Sequence, residues 1–342
     1  MKHKPRLPKE LGIFSVLVLA YIIFGILSPN FMTTSNTFTL LLNGSVVGLL
    51  AIGQTFVLLT AGIDLSVGSG IALSGVMAAI AMAHGAPWYL AMIAALVCTI
   101  LIGLFNGVVI HYVKVPPFIV TFATMGVASS IPMILTQDTP IPITSNAVSF
   151  LGQGFIGPVP VPVILLLLVA VTASLVLSRT VFGLHVYSVG GNRESARLAG
   201  VNTAKVDLTV YMLSGLMAGL GGLVDASRLM SGYPTAGSGT SLFFSIAAAV
   251  VGGVSLFGGV GTILGAVIGA VLIAVVSNGL DILNVSSYWQ PLVIGLIILA
   301  GVTVDILRTS RSENNSFWEG LRKRLRLNKK DENDPQPVRS VE

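Results

Sequence analysis

Charged residues are scarce in this chain of 342 residues: 10% are Asp, Glu, Lys or Arg, while 54% are hydrophobic. A soluble domain carries about 25% charged residues, so these side chains cannot cover a water-exposed surface. The shortage excludes a soluble enzyme, a disordered chain and a secreted disulfide scaffold. Cysteine is rarer still, and the single Cys98 can form neither an internal disulfide nor a cysteine metal cluster.

Three long stretches, 11–63, 65–113 and 229–280, lack charge altogether. Roughly 20 apolar residues span a bilayer as a helix, so each stretch has room for two or more spans. The apolar runs do not alternate with polar residues, as the strands of a membrane barrel would. We therefore predict an all-α polytopic integral membrane protein of about ten transmembrane helices. The predicted spans are roughly 11–27, 46–61, 68–83, 89–111, 118–136, 161–178, 206–229, 243–257, 262–280 and 289–307, and 46–61 and 243–257 are short enough to be re-entrant or broken helices.

The few basic residues predict the orientation in the membrane. With ten spans and the N-terminus inside, 18 of the 19 Lys and Arg residues fall on the cytoplasmic side, as the positive-inside rule requires. Arg228 is the exception, at a predicted outer helix end. The net charge of +5 is therefore a topology signal and not a nucleic-acid signal. We divide the chain into a cytoplasmic N-terminal segment (1–10), a transmembrane domain (11–307) and a cytoplasmic basic tail (308–342).

One hydrophilic segment, 179–207, interrupts the transmembrane domain on the cytoplasmic side. Asn192 can cap a helix N-terminus with Ser195 in its first turn, and Gly200 can end that helix in a left-handed conformation. We predict a short surface helix that carries Arg193, Glu194 and Arg197 and is shaped to enter a groove on a soluble partner. From the residues alone, an ordinary loop that obeys the positive-inside rule is an equal alternative.

The stretch Gly190–Gly200 resembles the coupling-helix loop of ABC importer permeases of the ribose, xylose and galactose type, a family shared with branched-chain amino-acid permeases. Three other stretches match that family in the same order. The first is Gly-Ile-Asp-Leu-Ser-Val-Gly at 62–68. The second is Pro-Thr-Ala-Gly at 234–237, followed by residues 246–248 and 252–253. The third is Gly-Gly-Val-Gly at 258–261, followed by Asn278-Gly279. The chain departs from the family at 241–245, which lacks the acidic residues usual there, and this leaves the substrate and the binding-protein contact open.

The resemblance implies the permease subunit of an ATP-driven importer in the inner membrane of a bacterium, and not an enzyme. Separate ATPase subunits would bind ATP and Mg²⁺, a periplasmic binding protein would deliver a monosaccharide or similar polyol, and a second copy or a paralogue would complete the pathway. The chain itself would bind no cofactor. The residues implied to couple to the ATPase are Gly190, Gly191, Asn192, Arg193, Glu194, Ala196, Arg197 and Gly200.

Polar groups inside the membrane are the candidates for the solute pathway. A carboxylate there is costly and marks function, and Asp64 is placed both to cap the next helix and to act as a gate at the inner mouth. A neutral solute would be bound by uncharged hydrogen-bonding groups, although hydrogen bonds between helices are the alternative for each of them. The pathway candidates are Asp64, Ser66, Gln54, Asn106 and Asn278.

Asp225 and Arg228 stand three residues apart near an outer helix end. This spacing predicts an ion pair, and the same two residues are candidates for contact with the binding protein.

The remaining motifs exclude other functions. The glycines of 252–261 lack the Lys-Ser/Thr ending of a phosphate-binding loop, so we assign them to close helix packing. His84 and His111 are isolated in sequence, and we predict neither a metal site nor a catalytic set. The alternative function is a stand-alone secondary transporter. It would need paired intramembrane carboxylates, but the only candidates, Asp64 and Asp281, are not paired in sequence.

Overall fold

The computed structural model describes residues 9–237, 240–303 and 306, and this part of the chain is mainly helical. Most of the segment 1–10 and the whole tail 308–342 lie outside the described residues. The helices are α1 Lys9–Leu27, α2 Thr34–Leu59, α3 Val67–Ala83, α4 Trp88–Val108, α5 Pro117–Thr136, α6 Asn146–Gln153, α7 Val161–Arg179, α8 Val181–Gly191, α9 Arg193–Leu198, α10 Thr203–Leu229, α11 Thr240–Val251, α12 Ile263–Ile282 and α13 Trp289–Thr303.

Irregular backbone joins these helices at a few defined places. A π-helical turn, Val109–Val113, extends α4, and Lys114 then ends it in a left-handed conformation. Four strands of two residues form two antiparallel pairs: β1 (Ile141–Pro142) with β4 (Ser231–Gly232), and β2 (Phe155–Ile156) with β3 (Val159–Pro160).

The all-α polytopic membrane fold is confirmed. Among the described residues, seven helices are long and apolar enough to cross a membrane: α1, α2, α4 with its π-helical turn, α5, α7, α10 and α12. Three shorter apolar helices, α3, α11 and α13, overlap the other predicted spans. Apolar length predicted where these helices lie, and seven of them are long enough to count as spans.

Two predicted boundaries are wrong. The span expected at 46–61 is the second half of α2, which begins at Thr34, because Thr33 accepts a hydrogen bond from the Asn36 amide at 3.3 Å and starts the helix early. The span expected at 243–257 is shorter, since α11 ends at Val251 and the chain turns at Gly253 with φ of +88°.

The core is built around α10, which packs against α2, α3 and α4. Glycines bring α4 and α10 into backbone contact: Gly103 lies against the Tyr211 carbonyl, Gly215 lies against the Thr99 carbonyl, and a methyl group at Gly107 would stand 2.8 Å from the Leu208 Cα. Small residues allow such close approach between membrane helices. The outer helices α1 and α5 leave most of their apolar side chains exposed, as lipid contact requires, and α7 exposes Leu167, Leu168, Val171 and Leu175.

Two of the shorter helices begin inside the helical domain and not at its end. After α2 the loop 60–66 turns back, and Asp64 reaches Ser214, which lies about 16 Å along α10 from Thr203. Helix α3 therefore starts part-way through the domain. Helix α11 starts at the same level, because the Leu242 side chain and backbone lie against Gly68.

Candidate functional site

The short helix α9 forms where the sequence predicts it. The Asn192 side chain accepts a hydrogen bond from the Ser195 amide at 2.8 Å, and Gly200 has φ of +86°. Within α9, Ala196 is buried, and its carbonyl accepts a hydrogen bond from the Val201 amide at 3.0 Å. The local structure predicted for 190–200 is thus confirmed.

The outward face of α9 carries an exposed ion pair. Arg197 donates to both carboxylate oxygens of Glu194, at 2.6 Å and 3.1 Å. These hydrogen bonds lower the pKa of Glu194 and raise the pKa of Arg197. Both side chains are about two-thirds exposed, and such pairs add little to stability. The pair therefore remains available to a partner.

The inward face of α9 is held by a buried carboxylate that the sequence analysis did not single out. Arg193 donates to the two oxygens of Asp207 on α10, at 2.7 Å and 2.9 Å. The same carboxylate bonds His111 Nδ1 at 2.7 Å, in the π-helical turn after α4. The hydrogen bond to Asp207 raises the pKa of Arg193. We call Arg193, Asp207 and His111 the inner cluster.

The inner cluster corrects the prediction that His111 is isolated. A buried carboxylate is retained only where it is paired and hydrogen-bonded, and the side chain of Asp207 is 2% exposed. The one sequence feature that pointed to this cluster was Asp207 itself, an acidic residue within the first turns of an apolar helix. Its partners are 14 and 96 residues away in sequence, so spacing rules could not find them.

The helix that precedes α9, α8, is attached to a second part of the domain. Gly190 lies directly against the Leu59 carbonyl at the end of α2, and the Gly259 amide donates to that carbonyl at 2.9 Å. The Tyr187 hydroxyl donates to the Gly261 carbonyl at 2.8 Å. Close packing thus accounts for Gly252, which lies against the Gly265 carbonyl on α12, and for Gly258, Gly259 and Gly261, whereas Gly253 has open space around it and a positive φ at the turn.

A second cluster lies deeper, around Asp64. Its Oδ1 accepts from the Ser66 amide at 2.9 Å and the Ser66 hydroxyl at 2.6 Å, and its Oδ2 accepts from Ser214 at 2.7 Å. Asn106 on α4 donates to Ser66 at 3.1 Å and accepts from Thr124 on α5 at 2.8 Å. All five side chains are buried. The prediction that Asp64 caps α3 is wrong, because the N-cap residue is Ser66 and no side chain caps the helix; Asp64 instead accepts from the Ser66 amide in the turn before it. We call this set the deep cluster.

The other predicted pathway residues lie apart from the deep cluster's hydrogen bonds. Asn278 exchanges two hydrogen bonds with Asn36 of α2, at 2.8 Å and 2.9 Å. Gln54 is fully buried, and neither atom of its amide group has a hydrogen-bond partner among the described residues.

The predicted Asp225–Arg228 ion pair is wrong. Arg228 donates instead to Asn43 of α2 at 2.6 Å, and no ion pair within 4.0 Å joins it to Asp225 among the described side chains. The carboxylate of Asp281 accepts from Gln290 at 2.6 Å, whereas that of Asp64 accepts from serines. Within the described part of the chain, no group of three His, Cys, Asp or Glu side chains could hold a metal ion.

Comparison with known proteins identifies the family. The family model described as the permease component of a branched-chain amino acid transport system matches residues 36–302. The chain belongs to this permease family. The matched region runs from the first turn of α2 to the last turn of α13 and includes both clusters and α9, so the geometry described above is that of a family member.

Curated relatives match this permease over most of their length. It is 40% identical over 306 residues to the ribose import permease protein of Escherichia coli K12. That alignment covers 88% of this chain and 95% of the relative. It is 39% identical to the ribose import permease protein of Bacillus subtilis, over 89% and 94% of the two chains. It is 38% identical to the fructose import permease protein of Rhizobium meliloti, over 85% and 83%. No solved structure matches the chain.

Proposed function

We propose that this permease is the membrane-spanning subunit of an ATP-driven ABC importer that moves a monosaccharide or similar polyol into a bacterial cell. The relatives named for ribose and fructose import support a sugar. The absence of charge from 229–280 and the hydroxyl and amide groups of the deep cluster suit a neutral solute. The chain is a transport subunit, and ATP hydrolysis belongs to separate ATPase subunits.

The observation that carries this proposal is the attachment of α9. Its outward face presents Glu194 and Arg197 to a partner, while Arg193 grips α10 through Asp207. A short, well-capped surface helix with one free face and one anchored face can transmit the movement of a docked subunit. Closure of the ATPase subunits on ATP would displace α9 and move the helices attached to it between outward and inward states.

The route from α9 to the pathway runs through α4 and α10. Asp207 joins the two helices by its bond to His111, and the glycine contacts hold their backbones together. Farther along, Ser214 of α10 and Asn106 of α4 hold Asp64 and Ser66. A displacement at Arg193 would therefore reach the deep cluster, whose side chains are buried. We assign Asp64, Ser66 and Asn106 to a gate and place Gln54 and Asn278 along the helices that move with it.

The proposed assembly has four kinds of component. Two permease copies, or this chain and a paralogue, form the pathway, and ATPase subunits dock on α9 from the cytoplasm. A periplasmic binding protein delivers the solute at the opposite face, where Asp225 and Arg228 lie near the end of α10. Both termini are cytoplasmic in this arrangement, in accordance with the distribution of basic residues.

Reconstitution tests the proposal against a secondary transporter. The permease, its ATPase and its binding protein, identified from adjacent reading frames, are placed in liposomes with radiolabelled ribose. We expect uptake that requires both ATP and the binding protein. Uptake by the permease alone, driven by an ion gradient, would reject the proposal. A thermal-shift screen of the binding protein against monosaccharides would identify the substrate.

A further inference from the structure

The three amide side chains of α2 lie along one face of the helix. Gln54 follows Asn36 by about five helical turns and Asn43 by about three, and both separations bring the side chains back to nearly the same direction. Asn36 exchanges hydrogen bonds with Asn278 of α12, and Asn43 accepts one from Arg228 of α10. The face that they share is therefore directed toward α10 and α12, which both pack against α2.

Gln54 differs from the other two because its amide group is unpaired. The residue is 0% exposed, and neither its nitrogen nor its oxygen has a hydrogen-bond partner among the described residues. A methyl group at the preceding Gly53 would stand 3.1 Å from the Cα of Ser214, a member of the deep cluster. Gln54 thus lies at the level of the deep cluster without a hydrogen bond to it.

An unpaired amide in this position lowers the stability of the protein. A buried donor or acceptor without a partner has given up its hydrogen bonds to water and gained none in return. The adjacent Thr55 shows the usual arrangement, since its buried hydroxyl donates to the Ala51 carbonyl at 2.7 Å. Buried groups that break this rule occur at functional sites. The amide of Gln54 therefore requires a partner in another conformation of the transport cycle.

The chemistry of the amide selects that partner. A glutamine side chain donates two hydrogen bonds, accepts two and carries no charge. A hydroxyl group both donates and accepts, so a neutral solute with several hydroxyl groups can satisfy both ends of the amide. A cation would satisfy only the oxygen, and an anion would satisfy only the nitrogen.

We propose that Gln54 binds the solute, a neutral polyhydroxylated molecule, as the solute passes the level of the deep cluster. This inference rests on the proposed function, because it assigns a solute contact within the same transporter. Hydroxyl groups of the solute would bind both amide atoms when α10 moves away from α2. Because Gln54 is fully buried in this structure, it can contact the solute only while the two helices are apart.

Gln54→Met tests this assignment in the complete transporter by two measurements of opposite sign. Met keeps the length of the side chain and removes the unpaired amide, so the unfolding midpoint in detergent should rise by roughly 2–4 °C. Ribose uptake into proteoliposomes should fall about fivefold, the effect of losing one hydrogen bond, while ATP hydrolysis continues because α9 and its contacts are unchanged. Thr55→Val, which removes a hydroxyl that is already bonded, is the matched control and should neither raise the midpoint nor change uptake.

Cysteine labelling tests the exposure of position 54 during transport. In a Cys98→Ala background, Gln54→Cys and Thr55→Cys are treated with a charged, membrane-impermeant methanethiosulfonate, which reacts with thiolates in contact with water. Both positions are buried here, and Thr55 lies about 100° farther around the helix. We expect Gln54→Cys to react about tenfold faster when ATP and ribose-loaded binding protein drive the cycle, with no such increase for Thr55→Cys.

The outcomes separate the inference from the proposed function. If Gln54→Met does not raise the midpoint, the amide is paired in the folded protein and the inference is rejected. It is also rejected if uptake per ATP is unchanged in Gln54→Met, or if turnover does not accelerate the labelling of Gln54→Cys. If the unsubstituted complex takes up no monosaccharide under any condition, the proposed function itself fails, while the midpoint of Gln54→Met still reports whether the amide is paired.

Discussion

At the scale of single residues, the carboxylate of Asp207 has as many hydrogen bonds as that of Asp64, and both of its partner side chains are ionisable. It receives three hydrogen bonds, two from Arg193 and one from His111. Removing one member of a buried charged set leaves the others unpaired, which costs more than the set contributes. The inner cluster is therefore sensitive to changes that alter hydrogen bonding while preserving shape.

Asp207→Asn tests that sensitivity. The amide group presents N–H donors where two donors already converge, so we expect a loss of about 1–3 kcal/mol of local stability. Attachment of α9 should weaken, and the number of solute molecules moved per ATP hydrolysed should fall while hydrolysis continues. The measurements are uptake and phosphate release in the same proteoliposomes. Lys205→Gln, an exposed change two residues away, is the control, and equal ratios in both variants would contradict the assignment.

His111 provides a graded test of the same cluster. Asn places an N–H donor near the position of Nδ1, whereas Leu offers none, so His111→Asn should retain more coupling than His111→Leu. The expected difference corresponds to about 1 kcal/mol, the usual net value of one hydrogen bond. Comparison of uptake per ATP in the two variants checks it. A Leu variant that couples as well as the Asn variant would show that the bond to Asp207 transmits nothing.

At the scale of elements, α9 is held at its N-terminal end by two different means. The side chain of its first residue, Arg193, binds Asp207, and Gly190 at the end of the preceding helix α8 contacts the backbone of α2. The two glycines before α9 have different surroundings. A methyl group at Gly190 would overlap the Leu59 carbonyl, whereas one at Gly191 would meet no atom within 4 Å.

Gly190→Ala should therefore destabilise the protein, and Gly191→Ala should not. Inserting a methyl group into a packed site costs about 1–3 kcal/mol, and here the obstructing atom is backbone. Thermal unfolding of the purified permease in detergent measures the difference. Equal midpoints for the two variants would mean that the α8–α9 connection is free to move away from α2.

Gly200 ends α9 in the left-handed region with φ of +86° and has open space around it. Gly200→Ala would be strained by about 1 kcal/mol because of its conformation alone. We expect normal membrane insertion with reduced transport per ATP, measured as for Asp207→Asn. Unchanged transport in both Gly200→Ala and Arg193→Gln would show that α9 is not the coupling element.

At the scale of the whole molecule, the proposed orientation makes opposite faces accessible to opposite solutions. In the Cys98→Ala background, a cysteine at Asp138 should be labelled from outside intact cells. A cysteine at Leu198, which is 76% exposed, should be labelled only after permeabilisation, because basic residues keep its face inside. The reverse pattern would invert the topology.

The sequence predicted the helices well because a long apolar run, such as the one in α7, indicates a membrane helix without information from the rest of the chain. It also predicted α9, since Asn192 and Gly200 act on adjacent backbone. It could not predict the inner cluster, where His111 and Asp207 are distant in sequence, nor the replacement of Asp225 by Asn43 as the partner of Arg228. The early start of α2 was hidden because polar residues such as Asn36 interrupt its first turns. These features depend on which helices meet, and that information is not local.

The backbone contact between α4 and α10 has a mechanical consequence. Where Gly103 and Gly215 bring one helix against the carbonyl groups of the other, there are no long side chains to shear past one another. The pair should move as a single lever, and bending must take place in the irregular chain beside it, at 60–66 and at 109–116. Spin labels on α4 and α10 should keep a constant separation through the ATP cycle, while a label on α3 changes its distance to both.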